Sequence, residues 1–318
     1  MKLGRNSVQV ILSASLLTGC AGSNLDFNER DLNGEDQNLG GGGFKERTFA
    51  NPPTPTPTVI IKNPVCDPFD TGNQGSDARN GLLSQEIVYV PAAQSGSIHN
   101  FASFFELDPM TNQSVPRYSI DREVIIHRVD VFSRQFSQGF FSMSDPTMAL
   151  SIPGTDETLN EWFGMQYSAN LRLPADRDEG LYEFMLIADD GSNLRIDTGS
   201  GLQTLIANDG VHAEKAKCSA VEKIVEMKRD SNFPIQLDYF QGPRYHIAMT
   251  LLWRRLDNAE VATHVADVEC GKQANDYFFD SHTSTPKAPF NGLLNRGWEV
   301  VPADAFFLPG EDTTNPCL

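Results

Sequence analysis

The residues able to do chemistry are few and mostly acidic. Two carboxylates stand side by side at Asp189 and Asp190, directly before Gly191. Taken alone they read as a D-G turn in which Asp190 caps its own backbone. The tetrapeptide Asp197-Thr198-Gly199-Ser200 occurs once, whereas hydrolysis by carboxylates needs two that share a proton. No G-x-S-x-G elbow is present to expose a serine nucleophile. The histidines at 99, 127, 212, 246, 264 and 282 are scattered, with no H-E-x-x-H pair for zinc. His212, in a turn near Asp209, is the one to watch. These residues point to a binding protein and not to an enzyme.

The N-terminus carries a different chemistry. Lys2 and Arg5 precede an apolar stretch from Val8 to Leu17, which runs into Leu17-Thr18-Gly19-Cys20. A basic flank, a short apolar core and small residues form an export signal over 1–19. That core is about ten residues, half of what a membrane-spanning helix needs. The four residues ending at Cys20 resemble the bacterial lipobox, which predicts cleavage before Cys20 and acylation of its sulfur. Alanine rather than aspartate at 21 resembles the sorting pattern for the outer membrane. A net charge of -17 disfavours any partner held through phosphates, since nucleic-acid binders carry a basic face. A surplus of carboxylates is compatible with divalent cations but identifies no site.

With Cys20 acylated, four of the five cysteines are left: Cys66, Cys218, Cys270 and Cys317. An even number in an exported chain predicts two disulfides, and zinc would want close pairs such as C-x-x-C. Three pairings are possible. Position favours Cys66 with Cys317, closing the folded region end to end, and Cys218 with Cys270.

The elements that must position these groups follow from periodicity. Residues 20–64 include four glycines from Gly40 to Gly43 and N-P-P-T-P-T-P-T from Asn51, a composition that predicts a disordered tether. From Ile125 the apolar residues alternate as in strands buried on one face. Tyr182, Phe184 and Leu186 form one set; Ile235, Leu237 and Tyr239 a second; Tyr245, Ile247, Met249, Leu251 and Trp253 a third. Turns such as Asp190-Gly191, Asn208-Asp209-Gly210 and Gly242-Pro243 separate them. The pattern predicts an all-β, antiparallel two-sheet sandwich over 122–257, with an N-terminal extension at 65–121 and a C-terminal one at 258–318.

The segment G-L-Y-E-F-M-L-I-A-D-D-G from Gly180 to Gly191, continuing to Ile196-Asp197, resembles the central signature of the PA14 domain family, named after anthrax protective antigen. The resemblance continues through Ile206 to His212 and through Ile235 to Arg244, and reaches back to Glu161-Trp162-Phe163-Gly164. It implies a lectin-like sandwich whose Asp189 and Asp190 are joined by a cis peptide bond and chelate calcium, which in turn binds sugar hydroxyls. Gln241 and Gly242 would add oxygen ligands. Arg244, with Asp209 and His212, would contact the ligand, Arg244 turning outward or pairing with a carboxylate. The implied partner is a glycan or another envelope component, and the rival reading is a metal-free module that docks a protein.

Cys20 yields a direct prediction. Mass spectrometry of the mature N-terminal peptide should find it acylated, and Cys20→Ser should release the exported protein in soluble form; an intact, unacylated Cys20 would sink the lipoprotein expectation.

Overall fold

A computed structural model describes residues 59–318 apart from 62–63, 73, 93–95, 97, 106–116, 141–148, 258–259 and 262. The expected export signal, Cys20 and the tether up to residue 58 lie outside the described residues. The remainder is all-β. The larger sheet has nine strands among the described residues, numbered here in chain order. Across it run β1 (Val65–Cys66), β4 (Val124–Ile126), β2 (Leu82–Tyr89), β6 (Phe163–Leu171), β12 (Phe233–Gln241), β8 (Ser192–Ile196) and β9 (Gln203–Asn208). Two short strands join it, β3 (Tyr118–Ser119) on β2 and β17 (Phe306–Phe307) on β6. The smaller sheet runs β10 (Lys215–Cys218), β7 (Gly180–Asp189), β13 (His246–Leu256) and β16 (Glu299–Val300), with β11 (Val225–Met227) on β7 and β5 (Asp130–Gln135) on β13, while β14 (Phe279–Asp280) and β15 (Thr285–Pro286) pair separately. Between the strands of these two sheets the ladders are antiparallel except β1 on β4, which is parallel.

The predicted alternation builds the core. Tyr182, Phe184 and Leu186 from the smaller sheet meet Leu237 and Tyr239 from the larger, and Ile247, Met249, Leu251 and Trp253 join them. Tyr245 does not belong to this set. β13 begins at His246, and Tyr245 lies ahead of it, 74% exposed.

The alternate residues of β7 and β13 are buried too. Met185, Ile187 and Leu252 pack under Phe278, Phe279, Phe290, Leu293 and Trp298 from the C-terminal region. Covering both faces explains why β7 is apolar at nearly every position, a pattern more usual in strands covered on both sides. Part of this cover is a helix over Ala288–Asn295, which the strand-dominated pattern did not predict. Pro289 stands in its first turn, where a missing N–H costs nothing. β2, from the expected N-terminal extension, is an interior strand between β4 and β6.

The two poles of the sandwich differ. β7 and β12 end, and β6 and β13 begin, at one pole, where Gln241 pairs with Phe163 and Asp189 with Ala248. At the other, Val59 donates its N–H to Thr313 Oγ1 at 3.2 Å, beside the bond between Cys66 and Cys317. Cys218 is bonded to Cys270, tying β10 to the segment that covers it.

Non-reducing peptide mapping of the protein should therefore find no free thiol among the four cysteines. Opening either bridge by paired Cys→Ser substitution should cost about 2–4 kcal/mol of stability, read from denaturant melts; four reduced cysteines would overturn the assignment.

Candidate functional site

The chain crosses from one sheet to the other at Asp189-Asp190-Gly191, between the end of β7 and the start of β8. The peptide bond between Asp189 and Asp190 is cis. Asp190 does not cap its own turn. Its Oδ1 accepts the His212 N–H at 3.0 Å and its Oδ2 the Gly242 N–H at 2.6 Å, so one carboxylate holds the loops that follow β9 and β12.

Glycine is required at two places here by close approach. A Cβ on Gly191 would lie 2.2 Å from the Phe240 ring and 2.9 Å from Asp209 Oδ1, and one on Gly242 would lie 2.7 Å from Asp190 Oδ2.

Both aspartates are buried, Asp189 at 6% and Asp190 at 3% exposure. Burial, with the charges of Asp190 and Glu214 beside it, pushes the Asp189 carboxyl up to about 8 against the opposing Glu214 backbone N–H. Burial pushes Asp190 up to about 7, the Gly242 and His212 amides opposing it. Such carboxylates favour a proton, or a cation in its place.

A cavity of about 610 Å³ opens over this floor. Asp189, Asp190, His212 and Arg244 line it, as do Val211, Tyr245, Gln135, Ser137 and Asn275. The other expected site residues are engaged elsewhere. The Gln241 side chain is fully buried: Nε2 donates to the carbonyls of Pro243 and His246 at 2.9 and 2.8 Å, and Oε1 lies 2.7 Å from the Tyr239 hydroxyl. The Gly242 carbonyl accepts the Trp162 N–H at 3.0 Å. Asp209 accepts the N–H groups of Phe101 and Gly210 at 2.8 and 2.9 Å and the Asn193 amide at 3.3 Å, which makes it a link between segments.

His212 lines the cavity, but its ring nitrogens face the carbonyls of Ala213 and Asn208 at 2.9 and 3.1 Å, and burial lowers its pKa. Arg244 turns away from the aspartates toward Glu161 Oε1, 3.5 Å away.

Sequence reasoning missed Tyr245, which continues the strand alternation by one step, and Gln135, Ser137 and Asn275, which carry no local signal. It also missed Glu214. Among the described residues no three His, Cys, Asp or Glu side chains converge closely enough to hold a metal ion by themselves, and no helix is long and apolar enough to cross a membrane.

No protein-family model matches the chain, and no curated protein does. Among solved structures it is similar to the "PA14 sugar-binding domain from RTX adhesin", at 17% identity over 56% of this chain and 90% of that one, with a TM-score of 0.34. It is also similar to the Epithelial Adhesin 6 A domain from Candida glabrata in complex with Galb1-3GlcNAc, at 15% identity over 67% of this chain and 93% of that one, TM-score 0.35. A third is an anti-sigma factor domain-containing protein, at 12% identity and a TM-score of 0.37; the alignment spans 75% of this chain and about half, 51%, of that one. Matches of this closeness leave the ligand of this chain open.

The close approach at Gly191 is testable. Gly191→Ala should cost about 1–3 kcal/mol through overpacking against Phe240, read as a lower thermal midpoint; an unchanged midpoint would show that the turn has room.

Proposed function

We propose that this chain is a lipid-anchored envelope protein that binds a carbohydrate in the cavity above Asp189 and Asp190, with calcium held by those two carboxylates. The observation carrying this reading is the pair of buried aspartates forming the floor of a cavity whose rim is both polar and apolar. Two adjacent carboxylates with no ion pair to arginine or lysine among the described residues suit a hard cation that prefers oxygen ligands. Gln241 and Gly242 then hold the loop in place and do not ligate. Calcium bound there supplies open positions that sugar hydroxyls can fill.

The rim fits the rest of a sugar. Tyr245 and Val211, 74% and 47% exposed, offer apolar surface to the C–H face of a pyranose, and Gln135, Ser137 and Asn275 offer hydrogen bonds to hydroxyls. Cys20 acylation at the outer membrane would place the sandwich at the end of the 20–64 tether.

One observation favours the rival, a metal-free module that docks a protein: both Asp190 oxygens already accept backbone N–H groups. Calorimetry with calcium, and a glycan array with and without chelator, separate the two. Calcium should bind the wild type, the Asp189→Asn/Asp190→Asn pair should weaken it more than tenfold, and Tyr245→Ala should weaken glycan binding roughly tenfold, ~1.4 kcal/mol, with calcium affinity unchanged. No heat at millimolar calcium, with partner binding intact in chelator, would leave the docking module as the account.

A further inference from the structure

Carboxylates buried elsewhere in this chain face arginine. Glu183 pairs with Arg254, Asp238 with Arg195 at 2.8 Å, Asp267 with Arg296 at 2.7 Å and Glu269 with Arg296 at 4.0 Å. Asp189, Asp190 and Glu214 have no such ion pair among the described residues. Glu214 is the extreme case. It is 0% exposed, and neither carboxylate oxygen has a hydrogen-bond partner among those residues.

Its position is set by the ladder. Lys215 pairs with Ala188 in the antiparallel register of β10 on β7, so one step further Glu214 lies opposite Asp189. Residues opposite each other on such a ladder present side chains to the same face. Ala274 donates its N–H to the Glu214 carbonyl at 3.1 Å, which pins the backbone there. Burial pushes the Glu214 carboxyl up to about 8; the Phe278 and Tyr277 backbone amides and the charge of Lys287 oppose this, and Asp276 adds to it. None of these is a buried counter-ion, and a buried charge needs one.

We propose that Glu214 is a positioning residue for a divalent cation: a third buried negative charge, behind Asp189, that strengthens the hold of Asp189 and Asp190 on the ion without ligating it. This rests on the calcium reading above. The missing counter-ion of all three carboxylates is then the same cation, bound from the cavity side. Without the cation, burial favours a proton on these acids and leaves little charge at Glu214. Replacing Glu214 by its neutral amide should accordingly not harm the cation-free protein but weaken the loaded one.

The test uses the exported protein, with calcium alone as the probe, in calorimetry and in thermal melts run in chelator and in calcium. Glu214→Gln should melt at or above the wild-type temperature in chelator, yet bind calcium about tenfold more weakly, in line with a charge acting at short range through a partly screened medium. Glu214→Asp, which keeps the charge, should retain affinity within about threefold. Calcium binding by the wild type that Glu214→Gln leaves unchanged would overturn this inference alone. A Glu214→Gln melt below wild type in chelator would assign the residue a merely structural role and overturn it likewise. No calcium heat in the wild type would overturn the calcium reading, and the role of Glu214 with it.

Discussion

The Asp190 carboxylate is the joint on which the site pole depends. The chain must leave β7 in one sheet and enter β8 in the other within two residues, and the loops after β9 and β12 must meet that crossing. One side chain with two acceptor oxygens does this, one for the His212 N–H and one for the Gly242 N–H. Its burial runs against it. A rise from 3.8 to about 7 corresponds to roughly 4 kcal/mol against the charged form, so two amide donors offset only part of the cost of taking the carboxylate out of water. The joint is therefore held geometrically while its charge is left short of compensation, and a cation arriving from the cavity would supply what the protein does not.

Charge elsewhere is settled within the protein. Asp238 projects from β12 on the outer face of the larger sheet and is wholly buried there. Gln166 and Gln236 donate to its Oδ1 at 3.1 and 3.0 Å, and Arg195 faces Oδ2 at 2.8 Å. These residues lie on β6, β12 and β8, so the cluster ties three neighbouring strands on the side away from the core. On the other sheet, Arg254 pairs with Glu183 and stacks on Trp298, fastening the C-terminal cover to β7 and β13. In a chain with a net charge of -17, Arg195, Arg254 and Arg296 face buried carboxylates, and among the described residues the three carboxylates of the site pole go without an ion pair.

The fold was legible where one face of a strand meets the core. Tyr182, Phe184 and Leu186 alternate with residues that a solvent-facing strand would make polar; here those are Met185 and Ile187, because the C-terminal region covers them. The strand was readable and its cover was not, since the Ala288–Asn295 helix is eight residues long, with only Phe290 and Leu293 buried. The Asp189-Asp190 turn was legible from its own residues and neighbours. Gln241 and Asp209 were legible as polar residues beside the site; the Tyr239 partner of Gln241 stands two positions back on the same strand, whereas the Phe101 partner of Asp209 comes from a segment over a hundred positions away. Tyr245 was misread because period-two alternation has no signal for where a strand begins. Glu214 was unreadable for a related reason: its burial opposite Asp189 is set by the pairing of β10 on β7, and its lack of an ion pair among the described residues leaves no mark in a sequence.

The separation of the two poles turns these local facts into a mechanical arrangement. At one pole Val59 bonds Thr313 and Cys66 is joined to Cys317, so the first described residues and the last are fastened together where β2 begins and β6 ends. At the other pole the loops carry the cavity and meet at Asp190. The site pole has no covalent bond among its own loops in the described residues; its geometry rests on backbone hydrogen bonds to one carboxylate and on the packing of Phe240 against Gly191. Loops positioned by a rigid scaffold can re-aim a rim residue such as Tyr245 without disturbing the sheets. A ligand that supplies the missing positive charge would therefore tighten the one part of the molecule that the disulfides leave free.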